Sequence, residues 1–244
     1  MDTYKLCYGL LFICEVAVLY CNCQTTTLTP IDPEVIEGDD VTFVCTVVSG
    51  TVDFVNWQVA VNASTSYVTP MAVPNGACAV SQTTSILTNK AKYSYECNST
   101  VYQVTVKNVQ RSQHNVTWSC FPQGQASGPT STINVQFPVS SVSITPASTD
   151  VVDVEENTGV VFTCQTSEAR PNASVTWYKV ESGVTAPISQ NITTSTTYED
   201  FSVTTSILRF VPSTPQNGLQ IFCKAKNSVN ISPEESSRQT LNVL

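Results

Sequence analysis

Residues 41–45 read VTFVC and residues 160–164 read VVFTC, so one alternating pattern occurs twice in the chain. In each copy Val, Phe and Cys stand two residues apart, which places their side chains on one face of a β-strand. The two cysteines, Cys45 and Cys164, are 119 residues apart in a chain of 244. We therefore interpret the chain as a tandem repeat of two units of similar size.

The residues around the two copies also correspond. A glutamate lies eight residues before each cysteine, a tryptophan follows it by 12 or 13 residues, and a second cysteine closes each unit. The corresponding positions are Glu37 and Glu156, Trp57 and Trp177, and Cys120 and Cys223. The repeat therefore extends well beyond one strand.

This cysteine–tryptophan–cysteine spacing resembles the immunoglobulin superfamily, in which the two cysteines lie on strands B and F and the tryptophan on strand C. The resemblance implies an all-β chain of two tandem immunoglobulin-like β-sandwiches. We place the first domain at residues 24–138 and the second at residues 139–244. The first is expected to be variable-like or intermediate and the second constant-like.

The resemblance also implies the disulfides and the core. Six cysteines follow residue 23, and six allow fifteen pairings. In an immunoglobulin-like pair of domains, Cys45–Cys120 and Cys164–Cys223 bridge the two sheets of each sandwich. Trp57 and Trp177 then pack against these bridges as scaffold, in preference to a ligand-stacking role for Trp177.

The second domain carries the more specific resemblance. RPNASVTWYK at residues 170–179, with the C-x-A-x-N ending at Asn227, is similar to the constant-like domains of nectins, nephrin-type adhesion proteins and costimulatory ligands. One position departs from the superfamily. Ile221 replaces the tyrosine two residues before the strand F cysteine, so the tyrosine-corner hydrogen bond is absent.

The first domain is longer between its bridge cysteines, with 75 residues against 59 in the second. We predict additional edge strands, strand F at residues 115–120, and strand G at residues 131–137. Cys78 and Cys97 lie between strands C and E, and we expect them to pair and staple the C′–D region. The alternative is free thiols or an intermolecular bridge.

The first 23 residues are predicted to be a secretory signal peptide. A 15-residue apolar run with one charge, Glu15, is followed by small residues before Gln24. The alternative is a short N-terminal anchor. No later apolar run reaches 18 residues, so we expect a secreted, extracellular chain without a membrane span, or the ectodomain of a longer cell-surface protein.

The chain is acidic, with a formal net charge of −8. Removal of the signal peptide leaves 17 acidic and 10 basic residues, a net charge of −7. The basic residues form no patch, so nucleic acid is not expected as a partner. We interpret the acidic surface as a source of solubility.

Six asparagines stand in the N-x-S/T pattern of N-glycosylation. They are Asn62, Asn98, Asn115, Asn172, Asn191 and Asn230. In a secreted chain some of them are expected to carry glycans, and Asn230 is the poorest acceptor because Pro233 follows its Ser232.

The sequence offers no catalytic group, metal site or cofactor motif. His114 is the single histidine, which rules out a zinc site of several histidines, and we interpret it as a solvent-facing turn residue. Adjacent acidic pairs could in principle serve glycoside hydrolysis or bind calcium. We interpret them as solvated turns, because neighbouring residues on a strand point to opposite faces.

We therefore expect a non-catalytic recognition module for cell adhesion or receptor–ligand binding. Its partner would be an extracellular protein or glycan, with homophilic binding as one option. The F–G hairpin of residues 121–129 is the candidate contact, with Phe121, Pro122 and Gln123 as the binding residues and an ordinary turn as the alternative.

Two other functions remain open. One is soluble innate-immune recognition, as a truncated form or fragment of a fibrinogen-related, immunoglobulin-containing defence lectin. The other is an enzyme, for which no site is found, or an enzyme inhibitor, which would bind a protease.

Overall fold

The structure is a computed structural model that describes residues 24–62, 65–81, 86–146, 151–198 and 200–244. The predicted signal peptide lies outside these residues. The chain forms two compact units that divide between Asn134 and Val135. The sequence places this division after Pro138. Phe137 belongs to the second unit, because its ring packs edge-to-face on Phe201 at 4.9 Å and its backbone bridges to Arg170.

Domain 1 is a sandwich of two antiparallel sheets. One has the order β1-β3-β8-β7 and the other β10-β9-β4-β5-β6. The strands are β1 (Thr25–Thr29), β2 (Glu34–Ile36), β3 (Val41–Ser49), β4 (Phe54–Asn62), β5 (Thr65–Ala72), β6 (Ala79–Val80), β7 (Tyr93–Cys97), β8 (Val101–Val106), β9 (Thr117–Pro122) and β10 (Thr130–Thr132). The short strand β11 (Asn134–Gln136) follows at the division between the two units. The sixth strand is an additional edge strand of the kind expected for a variable-like domain.

The alternating pattern of VTFVC forms the inner face of β3. Val41, Phe43 and Cys45 are buried, while Thr42 between them is exposed and shares a hydroxyl hydrogen bond of 2.8 Å with Thr105 on β8. Period-two alternation thus separates core from surface along this strand, as its sequence predicts.

Trp118 lies at the centre of the domain 1 core. Its ring stacks on Phe43 at 5.4 Å and meets the edges of Trp57 at 6.2 Å and Tyr93 at 6.0 Å. Trp118 stands two residues before Cys120, where the tyrosine of a tyrosine corner usually occurs. Here the position supplies aromatic packing to the core.

Strand G of domain 1 is interrupted, in contrast to the single strand that the sequence predicts. The break falls at Ile133, where the N–H donates to Val116 and the carbonyl accepts from Asn115, both at 3.0 Å. The next N–H, of Asn134, donates to Pro33 at 2.9 Å. The chain therefore changes its hydrogen-bonding partner within two residues, and β10 and β11 are separate strands.

Domain 2 is also a two-sheet sandwich. One sheet has the order β12-β14-β18-β17, and the other has the order β13-β21-β19-β15-β16 with β20 beside β19. The strands are β12 (Val142–Thr145), β13 (Val151–Val154), β14 (Val160–Thr166), β15 (Ser174–Glu181), β16 (Val184–Ile188), β17 (Ile192–Tyr198), β18 (Ser202–Phe210), β19 (Gln220–Lys226), β20 (Glu234–Glu235) and β21 (Gln239–Val243). Strand β13 runs parallel to β21, and the other pairings are antiparallel.

Three disulfides form among the described residues, and they are the pairs expected from the sequence and from the family resemblance. Cys45–Cys120 and Cys164–Cys223 each join the two sheets of one sandwich. Cys78–Cys97 joins the segment before β6 to the end of β7, and these are the edge strands of the two sheets of domain 1. The third bridge therefore closes one side of the sandwich.

The two predicted core tryptophans lie beside the inter-sheet bridges. Trp57 is opposite Cys120 on β9 and is 1% exposed, and Trp177 is opposite Cys223 on β19 and is 0% exposed. No helix in the described part of the chain has the length and apolarity that crossing a bilayer requires.

Candidate recognition face of domain 1

Acidic, histidine and cysteine side chains do not form a metal-binding cluster in the described residues. No group of three or more His, Cys, Asp or Glu is placed to hold a metal ion there. His114 is half-buried and follows the short 3₁₀ turn Arg111–Gln113, to which its N–H donates at 2.9 Å.

The adjacent acidic pairs serve turns and ion pairs. Asp40 accepts a hydrogen bond of 2.8 Å from the backbone of Asn108. Glu156 accepts from the hydroxyl and the backbone N–H of Thr214, and these bonds hold the pKa of its carboxyl below the ordinary value. Each carboxylate thus stabilises a local connection within its own domain.

The five-stranded sheet of domain 1 is uncharged. None of the residues in β4, β5, β6, β9 and β10 is Asp, Glu, Lys, Arg or His. The chain as a whole has 12% charged residues and a net charge of −8. We call its outward side the uncharged face.

Strand register defines the middle of the uncharged face. Val55, Trp57 and Val59 of β4 are buried, so the residues that alternate with them point outward. One outward row is Ser119–Gln58–Val68 and the next is Phe121–Asn56–Pro70, each crossing β9, β4 and β5. Apolar and neutral hydrogen-bonding groups are therefore mixed within two adjacent rows.

The accessibility of these rows increases toward β5. Gln58 and Asn56 are half-buried by their neighbours, and Val68 is 40% exposed. An exposed valine beside a glutamine provides apolar area and a neutral donor and acceptor together. This combination is typical of the centre of protein–protein interfaces, where charged residues are depleted.

Two of the three residues predicted for the F–G contact are buried. Phe121 and Pro122 are buried residues of strand β9, with Phe121 only 5% exposed, so they are not anchors on a hairpin tip. The returning chain lies against Phe121, because a Cβ added at Gly128 would come within 2.9 Å of the Cβ of Phe121. Of the three predicted binding residues, only Gln123 is exposed.

The exposed F–G loop begins at Gln123 and borders the uncharged face. Gln123 donates its N–H to the carbonyl of Phe54 at the start of β4, at 3.2 Å. The N–H of Gln125 donates to Pro122 at 3.2 Å, and its side chain donates to the carbonyl of Gln24. The loop is therefore tied to the scaffold on both sides and adds neutral polar groups to the rim.

The corresponding sheet of domain 2 carries charges that satisfy one another. Phe222 points outward yet is 1% exposed, because Tyr178 stacks on it at 5.3 Å and the Arg238 guanidinium lies 4.8 Å from its centre. Glu235 pairs with both Lys224, at 3.0 Å, and Arg238, at 3.1 Å. This cluster of cation–π contacts and ion pairs covers the apolar surface of Phe222.

The glycosylation acceptors lie outside the two central rows of the uncharged face. Asn62, Asn98, Asn115, Asn172 and Asn191 are exposed, whereas Asn230 is half-buried. Asn62 ends β4, and Asn98 directly follows β7 on the opposite sheet. The sequence alone could identify the acceptors, but their relation to each sheet depends on register.

Comparisons with known proteins agree with this architecture. Residues 142–231 match the family model of the CD80-like C2-set immunoglobulin domain. A crystal structure of Rst D1-D2 superposes with a TM-score of 0.64 at 18% sequence identity, covering 91% of this chain and 100% of that chain. At this identity the likeness concerns the fold alone. A search of curated proteins finds no match.

Proposed function

Because the chain consists of two tandem immunoglobulin-like domains, we propose that it is a non-catalytic extracellular recognition protein for adhesion or receptor–ligand binding. Domains of this kind are typical of extracellular recognition proteins and commonly bind protein ligands. Three disulfides support an oxidising, extracellular environment. The proposed binding surface is the uncharged face of domain 1 with the adjoining F–G loop.

The observation that carries the proposal is the absence of charge from the five strands of this sheet. A charged side chain loses its hydration when a partner covers it, and the cost is recovered only by a well-placed counter-charge. A neutral face avoids this cost. It therefore suits a protein partner whose own contact area is apolar and neutral, including a second copy of this chain.

Domain 2 is the less suitable binder. Its matching sheet has Lys179 paired with Glu181 at 2.8 Å in addition to the Glu235 cluster. A partner would have to desolvate these ion pairs or displace them. We therefore propose that the binding surface lies on domain 1 and not on this sheet of domain 2.

The test is to place a charge at the middle of the uncharged face with Val68→Arg. Val48→Arg is the matched control, since Val48 is 62% exposed on the opposite sheet. Binding is measured with the secreted chain, by sedimentation equilibrium for self-association and with a multimerised chain on a panel of extracellular proteins for other partners. Val68→Arg is expected to weaken binding at least ~tenfold, which equals about 1.4 kcal/mol.

Equal binding by both variants would show that the interaction uses another surface. Loss of binding by the Val48→Arg control alone would move the site to the four-stranded sheet.

A further inference from the structure

Strand β17 has an open edge. It borders the four-stranded sheet of domain 2 and pairs along its length with β18, from Ile192 opposite Leu208 to Tyr198 opposite Ser202. Within the described ranges no other strand pairs with its second edge. Seven extended residues span about 23 Å, which is long enough for another strand to add to them.

The open edge lacks the usual protection against such addition. Its sequence is ITTSTTY, with no lysine, no other charge and no proline. The border strand β16 of the neighbouring sheet contains Pro187, and the border strand β7 of domain 1 contains Glu96 and is closed by a disulfide at Cys97. Charges, prolines and covering groups are the devices that keep edges from pairing.

A glycosylation acceptor stands at each end of β17. Asn191 directly precedes Ile192, is exposed, and has a φ of 56° that asparagine tolerates better than most residues. At the other end the side-chain amide of Asn172 donates a hydrogen bond of 2.6 Å to the hydroxyl of Tyr198. Two acceptors that are distant in sequence are thus placed at the two ends of one edge strand.

The local chemistry is compatible with a glycan at both positions. N-glycosylation replaces one N–H of the asparagine amide with a bond to the sugar and leaves the other N–H in place. Asn172 can therefore be glycosylated and still donate to Tyr198. Tyr198 is 67% exposed as a residue and lies beside this amide, so its ring offers an aromatic surface against which the first sugar can pack.

We propose that N-glycans on Asn172 and Asn191 shield the open edge of β17 and prevent it from pairing with a strand of another molecule. The proposal rests on passage of the chain through the secretory pathway. It is independent of the binding surface on domain 1, which lies in the other unit.

The test uses the full chain secreted from mammalian cells, with glycopeptide mapping of every acceptor. Thr193→Ala and Ser174→Ala together remove both acceptor patterns and keep both asparagines. We expect glycopeptide mapping to find glycans at Asn172 and Asn191 of the parent chain. In sedimentation equilibrium, the double variant should show a concentration-dependent self-association that the parent chain lacks. Thr193→Ser, which keeps the acceptor pattern, is the matched control and should behave as the parent.

A charge on the edge identifies the surface that associates. Ser195 is exposed in the middle of β17, so Ser195→Lys added to the double variant should abolish the new association. Val68→Arg in domain 1 should leave it unchanged. If Val68→Arg abolishes the association and Ser195→Lys leaves it unchanged, the association uses the uncharged face and the shielding role is overturned.

Three further results would overturn the proposal. They are the absence of glycan from both asparagines, a double variant that associates no more than the parent, and an association that Ser195→Lys does not reduce. If the double variant is not secreted, the parent chain is trimmed to its first sugars with an endoglycosidase. The same gain of association is then expected from a protein that has already folded.

Discussion

The indole N–H of Trp177 donates a hydrogen bond of 3.0 Å to the hydroxyl of Ser206, and both groups are buried. Ser206 lies opposite Cys164 in the strand register, and Tyr102 holds the matching position opposite Cys45 in domain 1. In domain 1 the indole N–H of Trp57 has no hydrogen-bond partner among the described residues. The same cysteine–tryptophan framework is therefore completed by a polar contact in one domain and by aromatic packing in the other.

Replacing Ser206 by alanine should destabilise domain 2. The change leaves the Trp177 N–H buried without an acceptor and removes the 3.0 Å contact of Ser206 with Thr194. Leaving a buried donor unsatisfied costs about 1–3 kcal/mol. We expect this loss in the unfolding free energy of domain 2, measured by denaturant-dependent amide exchange of β15 and β18, since the two domains need not unfold together.

Ser195→Ala on the neighbouring strand is the control for this prediction. Ser195 is exposed, so its loss should change the unfolding free energy by less than about 0.5 kcal/mol. Equal effects of the two variants would mean that the Trp177–Ser206 bond contributes nothing to stability.

Removal of the Cys78–Cys97 bridge should destabilise domain 1 and leave domain 2 unchanged. The bridge closes a loop with a sequence separation of 19, for which the loop-entropy estimate gives about 3 kcal/mol as an upper value. A Cys78→Ser, Cys97→Ser double variant avoids a lone thiol. Its thermal unfolding, followed by amide exchange in β6 and β7, should show the largest change at these edge strands.

The matched comparison is the inter-sheet bridge Cys45–Cys120, whose sequence separation is 75. Its removal should cost more, because the longer loop restricts the unfolded chain more strongly and both cysteines are fully buried. A larger loss from the Cys78–Cys97 variant would contradict the loop-entropy explanation.

The main features of the fold could be predicted from the sequence because strands and cores follow local patterns. The V-x-F-x-C alternation predicts the inner faces of β3 and β14, and both are found. The division of strand G could not be predicted in this way. It depends on backbone hydrogen bonds of Ile133 with Asn115 and Val116, which lie on another part of the chain.

The candidate site is less predictable from the sequence, because it too depends on contacts between distant parts of the chain. The sequence places Phe121 and Pro122 on the F–G hairpin, because they follow Cys120 directly. Both residues are buried, and Gly128 lies close to Phe121, which only the folded chain shows. The uncharged face combines residues from five strands, so no single segment of sequence indicates it.

The Glu235 cluster predicts a loss of domain 2 stability in acid. Partial burial raises the pKa of Glu235, but the hydrogen bonds and charges of Lys224 and Arg238 outweigh this effect and hold the pKa below its ordinary value of 4.5. At a pH between the folded-state pKa of Glu235 and its ordinary value, the unfolded chain binds more protons than the folded chain. The stabilisation is therefore present above about pH 4.5 and is lost as the pH falls through the pKa of the folded state.

The measurement is the unfolding free energy of domain 2 as a function of pH. Glu235→Gln should lower stability at neutral pH and reduce the loss on acidification, because glutamine cannot form either ion pair. Glu234→Gln removes a carboxylate from the same short strand and should keep the pH dependence of the parent. A Glu235→Gln variant with the full acid sensitivity would assign that sensitivity to other carboxylates.

Asn230 is predicted to stabilise domain 2 through its side chain and to carry no glycan, although it stands in an acceptor pattern. Its amide nitrogen donates to the carbonyl of Val139 at 3.0 Å, and its amide oxygen accepts from the N–H groups of Val139 and Asn227, each at 3.0 Å. The amide thus connects the first residues of domain 2 to the turn after β19, and it is half-buried there. A glycosyltransferase would have to pull this amide out of three hydrogen bonds.

Two substitutions separate the structural role of Asn230 from its acceptor pattern. Ser232→Ala removes the pattern and keeps the amide, so the glycan mass of the secreted chain and its stability should both stay unchanged. Asn230→Ala removes the amide and leaves two backbone groups of Val139 without their partners, so domain 2 should lose about 1–3 kcal/mol of unfolding free energy. Mass spectrometry of the peptide that contains Asn230 measures the first outcome, and amide exchange at Val139 and β19 measures the second. A glycan found on Asn230 would show that this turn opens before glycosylation, and the prediction would be wrong.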